Sequence, residues 1–207
     1  MTPAQRVKWV AKPLVFAACL LPFLWLVYGT FTGGLGVNPV EYITNHTGIW
    51  TLRFLVATIA ITPIRWLTKW NAIIQFRRMI GLFAFFYSVQ HFSIYFVLDR
   101  SLMFDGLWED IVKRPYITVG FTALVLMIPL AVTSTKGWIR RLGGKRWNLL
   151  HRLVYASALL GALHYIWKVK LDVTNPLIYA AVIVVLLGWR LIKAYQKSRP
   201  AVCPRSA

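Results

Sequence analysis

Six apolar stretches, each with at most two charges, alternate in this chain with shorter segments rich in Lys and Arg. They cover approximately residues 13–29, 48–66, 79–98, 116–134, 151–167 and 174–192. Each approaches the roughly 17–25 residues that a helix needs to cross about 30 Å of hydrocarbon. The pattern predicts an all-α fold, a polytopic membrane bundle of six transmembrane helices forming one domain over residues 1–207.

Composition excludes other classes of protein. The 207 residues include 24 Lys and Arg against 6 Asp and Glu, yet 58% of the chain is hydrophobic. A soluble nucleic-acid binder could carry that charge but not that many apolar residues, and a disordered basic tail would lack them. Attraction of the basic loops to anionic lipid, together with membrane topology, accounts for the charge, so we expect no nucleic-acid partner.

The distribution of charge predicts the orientation of the chain. If the N-terminus is cytoplasmic, all six acidic residues fall outside and 18 of the 24 basic residues fall inside. The inside set is Arg6, Lys8, Lys12, Arg65, Lys69, Arg77, Arg78, Lys136, Arg140, Arg141, Lys145, Arg146, Arg152, Arg190, Lys193, Lys197, Arg199 and Arg205. The positive-inside rule then places both termini of this multi-pass membrane protein in the cytoplasm.

The first apolar stretch is expected to remain in the protein. Arg6, Lys8 and Lys12 precede it, as basic residues precede a signal peptide, but the stretch is long for one and Gly29–Thr32 offers no small-residue cleavage site.

Histidine is the chemically informative residue inside the predicted helices, which contain no deep Asp, Glu or Lys. This argues against a proton-coupled transporter. His91 lies 13 residues past Arg78, about 20 Å along a helix. His164 lies 12 residues past Arg152, about 18 Å along another helix that runs in the same direction. Two imidazoles at one depth predict a b-type heme held between the third and fifth helices, with hydrogen-bonded packing as the alternative.

His151 extends the same reasoning toward the cytoplasmic side. It precedes His164 by 13 residues, about 20 Å, and could hold a second heme. The third helix offers only Arg77 and Arg78 at that depth, and neither is an axial ligand. The number of hemes, one or two, is therefore open. His46 is expected to be a solvated or capping residue.

Three arginines are candidates for binding heme propionates, because carboxylates favour bidentate guanidinium partners. Arg53 is the candidate on the outer side, and Arg77 or Arg78 on the inner side.

Five stretches of the chain carry a resemblance to known proteins. They are GGLGVNPV (33–40), TGIWTLRFLVATIAITPIR (47–65), RRMIGLFAFFYSVQHFSIY (77–95), KRPYITVG (113–120) and LAVTSTKGWIRRLGGKRWNLLHRLVYASALLGALHYIW (130–167). These stretches resemble the MsrQ (YedZ) family, the heme-binding membrane subunits of periplasmic methionine-sulfoxide reductase systems. More broadly, the chain is similar to the ferric-reductase-like transmembrane domain.

The resemblance implies an electron carrier of the bacterial inner membrane that takes electrons from the quinone pool and passes them to the periplasmic molybdopterin subunit MsrP. A cytoplasmic reduced flavin, supplied by a flavin reductase, is the alternative electron donor. It also implies heme b and FMN as cofactors, and its heme histidines correspond to His91, His151 and His164. The broader superfamily carries two histidines on the third helix, whereas this chain has only His91 there.

Two other functions are weighed against this one. The chain could be a self-contained reductase of ferric iron or another metal, or a non-redox scaffold or transporter whose histidines only pack. In the electron-carrier interpretation, it is an electron-transfer subunit without sulfoxide reductase activity of its own.

Overall fold

The computed structural model describes residues 2–99 and 107–198. Within these ranges, six helices are long and apolar enough to cross a membrane. Their regular α-helical parts are α1 (Lys12–Thr32), α2 (Pro39–Thr68), α3 (Arg77–Ile94), α4 (Pro115–Val132), α5 (Leu153–Lys168) and α6 (Thr174–Ser198). The predicted all-α, six-helix membrane bundle is confirmed, and the chain is a multi-pass membrane protein. The cytoplasmic placement of both termini stays a prediction.

Shorter helical elements flank the six long helices. They are Pro3–Arg6 and the π-helical Val7–Ala11 before α1, the 3-10 helix Asn71–Phe76 before α3, the π-helical Tyr95–Asp99 after it, Leu107–Lys113 before α4 and Lys136–Leu150 before α5. Four residues used in the topology argument, Arg100, Asp105, Arg199 and Arg205, lie outside the described residues.

Helix α2 begins much earlier than the apolar pattern alone suggests, at Pro39 rather than at residue 48. The Asn38 side chain caps it by accepting a hydrogen bond from the Glu41 N–H at 3.3 Å, and Pro39 occupies the first turn, where its missing N–H costs nothing. The extra turns include the polar residues Thr44, Asn45 and His46, and they contribute to the candidate site.

Helices α2, α3, α4 and α5 form a ring in which each helix packs against the next, and α5 closes back onto α2. Helix α1 packs on α2 and α3, and α6 packs on α2 and α5. In this four-helix ring, α3 and α5 lie diagonally opposite each other. Side chains on these two helices can therefore meet inside the ring.

Large apolar side chains cover the outside of the bundle. On α1, Leu14, Leu21 and Trp25 are each at least 60% exposed, and Val184 and Val185 on α6 are similarly exposed. A soluble protein would not leave so much contiguous apolar surface in water, whereas lipid tails solvate it.

Prolines inside the long helices break backbone hydrogen bonds, and at two of the three, Pro22 and Pro63, a side chain from another helix repairs the break. Near Pro22 in α1, the Tyr87 hydroxyl accepts from the Phe23 N–H at 3.0 Å and donates to the Cys19 carbonyl at 2.9 Å. The hydroxyl thus stands in for a direct backbone bond and fixes α1 against α3.

At Pro63 in α2, the missing N–H frees the Ile59 carbonyl, four residues earlier. The Arg190 guanidinium, on α6, donates to that carbonyl at 2.6 Å and to the Tyr155 hydroxyl at 2.7 Å. An arginine inside an apolar span is thereby paired with groups that need a donor.

We expect Arg190→Met to lower the free energy of unfolding by about 1.5–3 kcal/mol, the worth of a hydrogen bond from a charged group. In a Pro63→Ala background, the alanine has an N–H that can donate to the Ile59 carbonyl. Arg190→Met should therefore lower the free energy of unfolding by less in that background. Thermal unfolding of the four proteins in detergent measures this coupling. Equal losses in both backgrounds would contradict the pairing of Arg190 with the freed carbonyl.

Candidate functional site

Two imidazoles face each other inside the four-helix ring. His91 is in the last turn of α3 and His164 is one turn before the end of α5. Their ring centroids lie 6.0 Å apart and their planes are inclined by 80°. The depths counted along the sequence therefore correspond to one common height in the structure.

Backbone carbonyls of the two intervening helices fix both rings. His91 Nδ1 lies 3.0 Å from the Thr44 carbonyl on α2, and His164 Nδ1 lies 2.7 Å from the Tyr116 carbonyl on α4. A carbonyl can only accept, so in the neutral ring each Nδ1 carries the proton and Nε2 keeps its lone pair. This is the usual arrangement of a metal-binding histidine and its supporting hydrogen bond.

Glycines give the rings the space they occupy. A Cβ on Gly48 of α2 would lie 3.0 Å from His91 Cε1, and a Cβ on Gly120 of α4 would lie 2.6 Å from His164 Nδ1. The imidazoles thus pack directly on helix backbone, which any larger residue would prevent.

The donor set fits a heme iron. Two imidazoles bound on opposite sides of one metal, at about 2 Å per nitrogen, have ring centroids about 6 Å apart. The separation of 6.0 Å between His91 and His164 agrees with that value. Two neutral nitrogen ligands without thiolate or carboxylate suit a six-coordinate, b-type heme. That these residues hold iron stays a prediction, as do the other assigned sites.

The environment of His151 differs from that of the facing pair. Its ring stacks on Trp147, with centroids 3.8 Å apart, and its Nδ1 lies 3.0 Å from the Trp147 carbonyl. Its Nε2 is buried and makes no well-formed hydrogen bond within the described part of the chain, although the Leu130 carbonyl is near the ring. Burying a ring nitrogen without a hydrogen bond costs free energy unless a ligand binds to that nitrogen.

The three candidate arginines have different surroundings. Arg77 is partly buried at the start of α3, within electrostatic range of His151, whereas its neighbour Arg78 is exposed. Arg53 donates to the Tyr179 hydroxyl on α6 at 3.1 Å, and its guanidinium lies 4.7 Å from the centre of the Trp50 ring. Arg53 therefore points toward α6, away from the facing imidazoles.

The expectation of a solvated or capping His46 is wrong. Because α2 begins at Pro39, His46 lies in its second turn, 5.8 Å from Tyr42 and 6.2 Å from Trp50 between ring centroids. The ring is partly buried among aromatic neighbours, and its Nε2 is buried without a hydrogen-bond partner in the described chain.

Sequence reasoning missed Lys168, the last residue of α5. Its ammonium donates to the Asn45 side-chain oxygen on α2 and lies within electrostatic range of both facing imidazoles. A spacing of four residues from His164 places both on one helix face and could have revealed it. The carbonyls of Thr44 and Tyr116 carry no sequence signal, because every residue has a carbonyl.

Comparison with known proteins shows the family to which this chain belongs. Residues 47–162 match the model described as "Ferric reductase like transmembrane component". The protein-methionine-sulfoxide reductase heme-binding subunit MsrQ of Herminiimonas arsenicoxydans is 53% identical over 197 residues, which cover 94% of this chain and 90% of that protein. The chain belongs to the MsrQ family. The predicted resemblance is confirmed.

Other MsrQ proteins align over comparable lengths. The heme-binding subunit MsrQ of Rhodospirillum rubrum is 53% identical over 192 residues, 92% of this chain and 91% of that protein. The one from Polaromonas naphthalenivorans is 46% identical over 210 residues, 99% of this chain and 96% of that protein. The matched family segment runs from within α2 to within α5, so both ends of it lie in the four-helix ring, and His91 falls between them. His164 lies two residues beyond it, within the MsrQ alignments.

Proposed function

We propose that this chain is a membrane cytochrome b that carries electrons across the bacterial inner membrane to a periplasmic methionine-sulfoxide reductase. The facing pair of His91 and His164 carries the proposal, because two neutral imidazoles 6.0 Å apart in a membrane bundle match the needs of one heme iron. Membership of a family whose relatives are named heme-binding subunits supports the same interpretation.

The chain's own residues would bind and orient the cofactor. His91 and His164 are the residues that would hold the iron, and the carbonyls of Thr44 and Tyr116 hold their rings in the tautomer that leaves Nε2 free. A bound heme would supply one-electron iron chemistry. The surrounding apolar ring would exclude water and favour electron transfer over side reactions.

His151 is the proposed ligand of any second heme, nearer the cytoplasmic side, with Arg77 or Arg78 toward its carboxylates. Arg77 is the better placed of the two, because it is partly buried near His151 while Arg78 is exposed. Two stacked hemes would give electrons a route across the bilayer. Arg53 remains a proposed propionate partner on the outer side, although its observed contacts are with α6.

The proposed partners come from the family resemblance, and the predicted cytoplasmic position of both termini sets the side on which each would act. We propose that electrons enter from the quinone pool or from a cytoplasmic flavin reductase and leave to the periplasmic molybdopterin subunit MsrP. FMN is a further proposed cofactor, on the strength of the family resemblance alone. On this account the chain has no sulfoxide reductase activity without its partner.

The visible spectrum of the purified chain tests the proposal. A Soret band that shifts on addition of dithionite supports a heme protein, and a heme and flavin count per polypeptide gives the stoichiometry. A colourless protein after expression with ample heme supply would contradict the proposal. It would favour the scaffold or transporter interpretation.

A stand-alone metal reductase is the second candidate, favoured by the match to a ferric-reductase-like component. Co-purification with a periplasmic molybdopterin subunit, and electron transfer to it, separates the two functions. Rapid reduction of ferric chelates without such a partner would favour the metal reductase.

We expect His151→Ala to remove at most one heme per chain and to leave the spectrum of the outer heme unchanged. His151 lies at the other end of α5 from the facing pair, two residues before the helix begins at Leu153 and 13 residues before His164. A pyridine hemochrome assay against protein concentration measures the loss. An unchanged ratio of heme to protein would indicate a single-heme protein, and loss of all heme would contradict two independent sites.

A further inference from the structure

We infer that Lys168, supported by Asn45, is the outer-side cation that binds a propionate carboxylate of the heme. This inference rests on the proposed function and assigns the carboxylate partner of the heme between His91 and His164. It gives Lys168 the role that the sequence suggested for Arg53.

The position of Lys168 relative to the iron ligands carries the inference. Lys168 follows His164 by one helical turn on the same face of α5, on the outer side of the facing pair. Its ammonium donates to the side chain of Asn45 on α2, the residue after Thr44, whose carbonyl holds the His91 ring. An ammonium near these two histidines would also be near a heme held between them.

The α2 segment 41–48 contacts both sides of the site. The Thr44 carbonyl holds the His91 ring, the Asn45 side chain accepts from the Lys168 ammonium, and Gly48 gives His91 its space. One stretch of helix thus sets the position of an axial ligand and of the ammonium relative to each other. The ammonium has three donors, and the hydrogen bond to Asn45 uses one of them.

Two other charged groups on α2 are less suited to the role. Glu41 lies within electrostatic range of Lys168, but its carboxylate accepts from the Asn38 side chain at 3.0 Å. Arg53 lies eight residues after Asn45, about 12 Å along the helix, and is bonded to Tyr179. A partly buried ammonium beside the imidazoles is better placed to neutralise a carboxylate than a guanidinium directed at α6.

The test compares K168M, K168R and K170M of the full chain, titrated with heme and with heme dimethyl ester, in which both carboxylates are blocked. Lys170 is an exposed lysine just after α5 and serves as the matched control. We expect K168M to weaken the binding of heme about tenfold and to leave the binding of the ester unchanged. K168R and K170M should keep the affinity of the wild type for heme.

A second readout is the midpoint potential, followed in the Soret band. Loss of the cation leaves a carboxylate uncompensated beside the iron, which favours Fe(III). We expect K168M to lower the Fe(II)/Fe(III) ratio at a fixed ambient potential about tenfold, which is 59 mV for a one-electron couple. The bis-histidine spectrum should persist.

Several results would overturn the inference. They are equal weakening of heme and ester binding by K168M, an unchanged midpoint potential in a heme-loaded K168M, or the same shift in K170M. If K168M does not insert into the membrane, the wild-type chain provides the test. Equal affinity of the wild type for heme and for heme dimethyl ester would show that no carboxylate is recognised. A wild-type chain that binds no heme contradicts the proposed function, whereas a heme-loaded chain indifferent to Lys168 contradicts this inference alone.

Discussion

His91→Ala and His164→Ala should each lose most of the bound heme while the chain still inserts into the membrane. Each substitution removes one of two imidazoles whose ring centroids are 6.0 Å apart, so the iron would keep a single protein ligand at that level. We expect heme affinity to fall about tenfold or more, since even outer-shell partners of a metal ligand contribute that much. Heme per polypeptide, from the Soret band and a pyridine hemochrome assay, measures the effect.

His46→Ala is the matched control for these variants. His46 is also a membrane histidine with a buried Nε2 that lacks a hydrogen-bond partner in the described chain, but its neighbours are Tyr42 and Trp50. It should retain the heme of the wild type. Full heme content in both His91→Ala and His164→Ala would show that the pair only packs. Loss of heme in His46→Ala alone would place the heme site at His46 instead of at the facing pair.

Gly120→Ala should weaken heme binding although it favours the helix. The added Cβ would lie 2.6 Å from His164 Nδ1, so the ring must leave the Tyr116 carbonyl that orients it. Loss of such a supporting hydrogen bond costs about tenfold or more in metal affinity. Alanine also stabilises a helix interior relative to glycine by about 1 kcal/mol. We therefore expect lower heme affinity without a lower unfolding temperature of the heme-free protein.

Gly188→Ala on α6 is the matched control for that substitution. A Cβ at Gly188 meets no atom within 4 Å, so the variant gains the helix propensity without touching an imidazole. Heme titrations and thermal unfolding of both variants, each in the same detergent, separate the two effects. Equal heme affinity in Gly120→Ala and the wild type would mean that the position of the His164 ring does not depend on the space at Gly120.

The sequence was sufficient for the membrane fold because the bilayer imposes a one-dimensional constraint. Each span must be long, apolar and helical, and these properties are local and can be counted. The same counting gave equal depths for His91 and His164, since a helix rises a fixed 1.5 Å per residue. Counting apolar residues did not predict that α2 begins at Pro39, because this polar extension of the helix depends on its Asn38 cap and not on apolar composition.

Only the tertiary structure decided what surrounds each of these residues. Depth along a span says nothing about rotation around it or about which helices are neighbours. The diagonal placement of α3 and α5 brings the two rings together. The packing of α2 on α5 and α6 directs Arg53 toward α6 and brings Lys168 to Asn45. Such contacts join residues more than 40 positions apart, and they involve backbone carbonyls that every residue carries. The sequence therefore determined which helices cross the membrane and how deep each histidine lies, and the packing of the helices determined what each side chain meets.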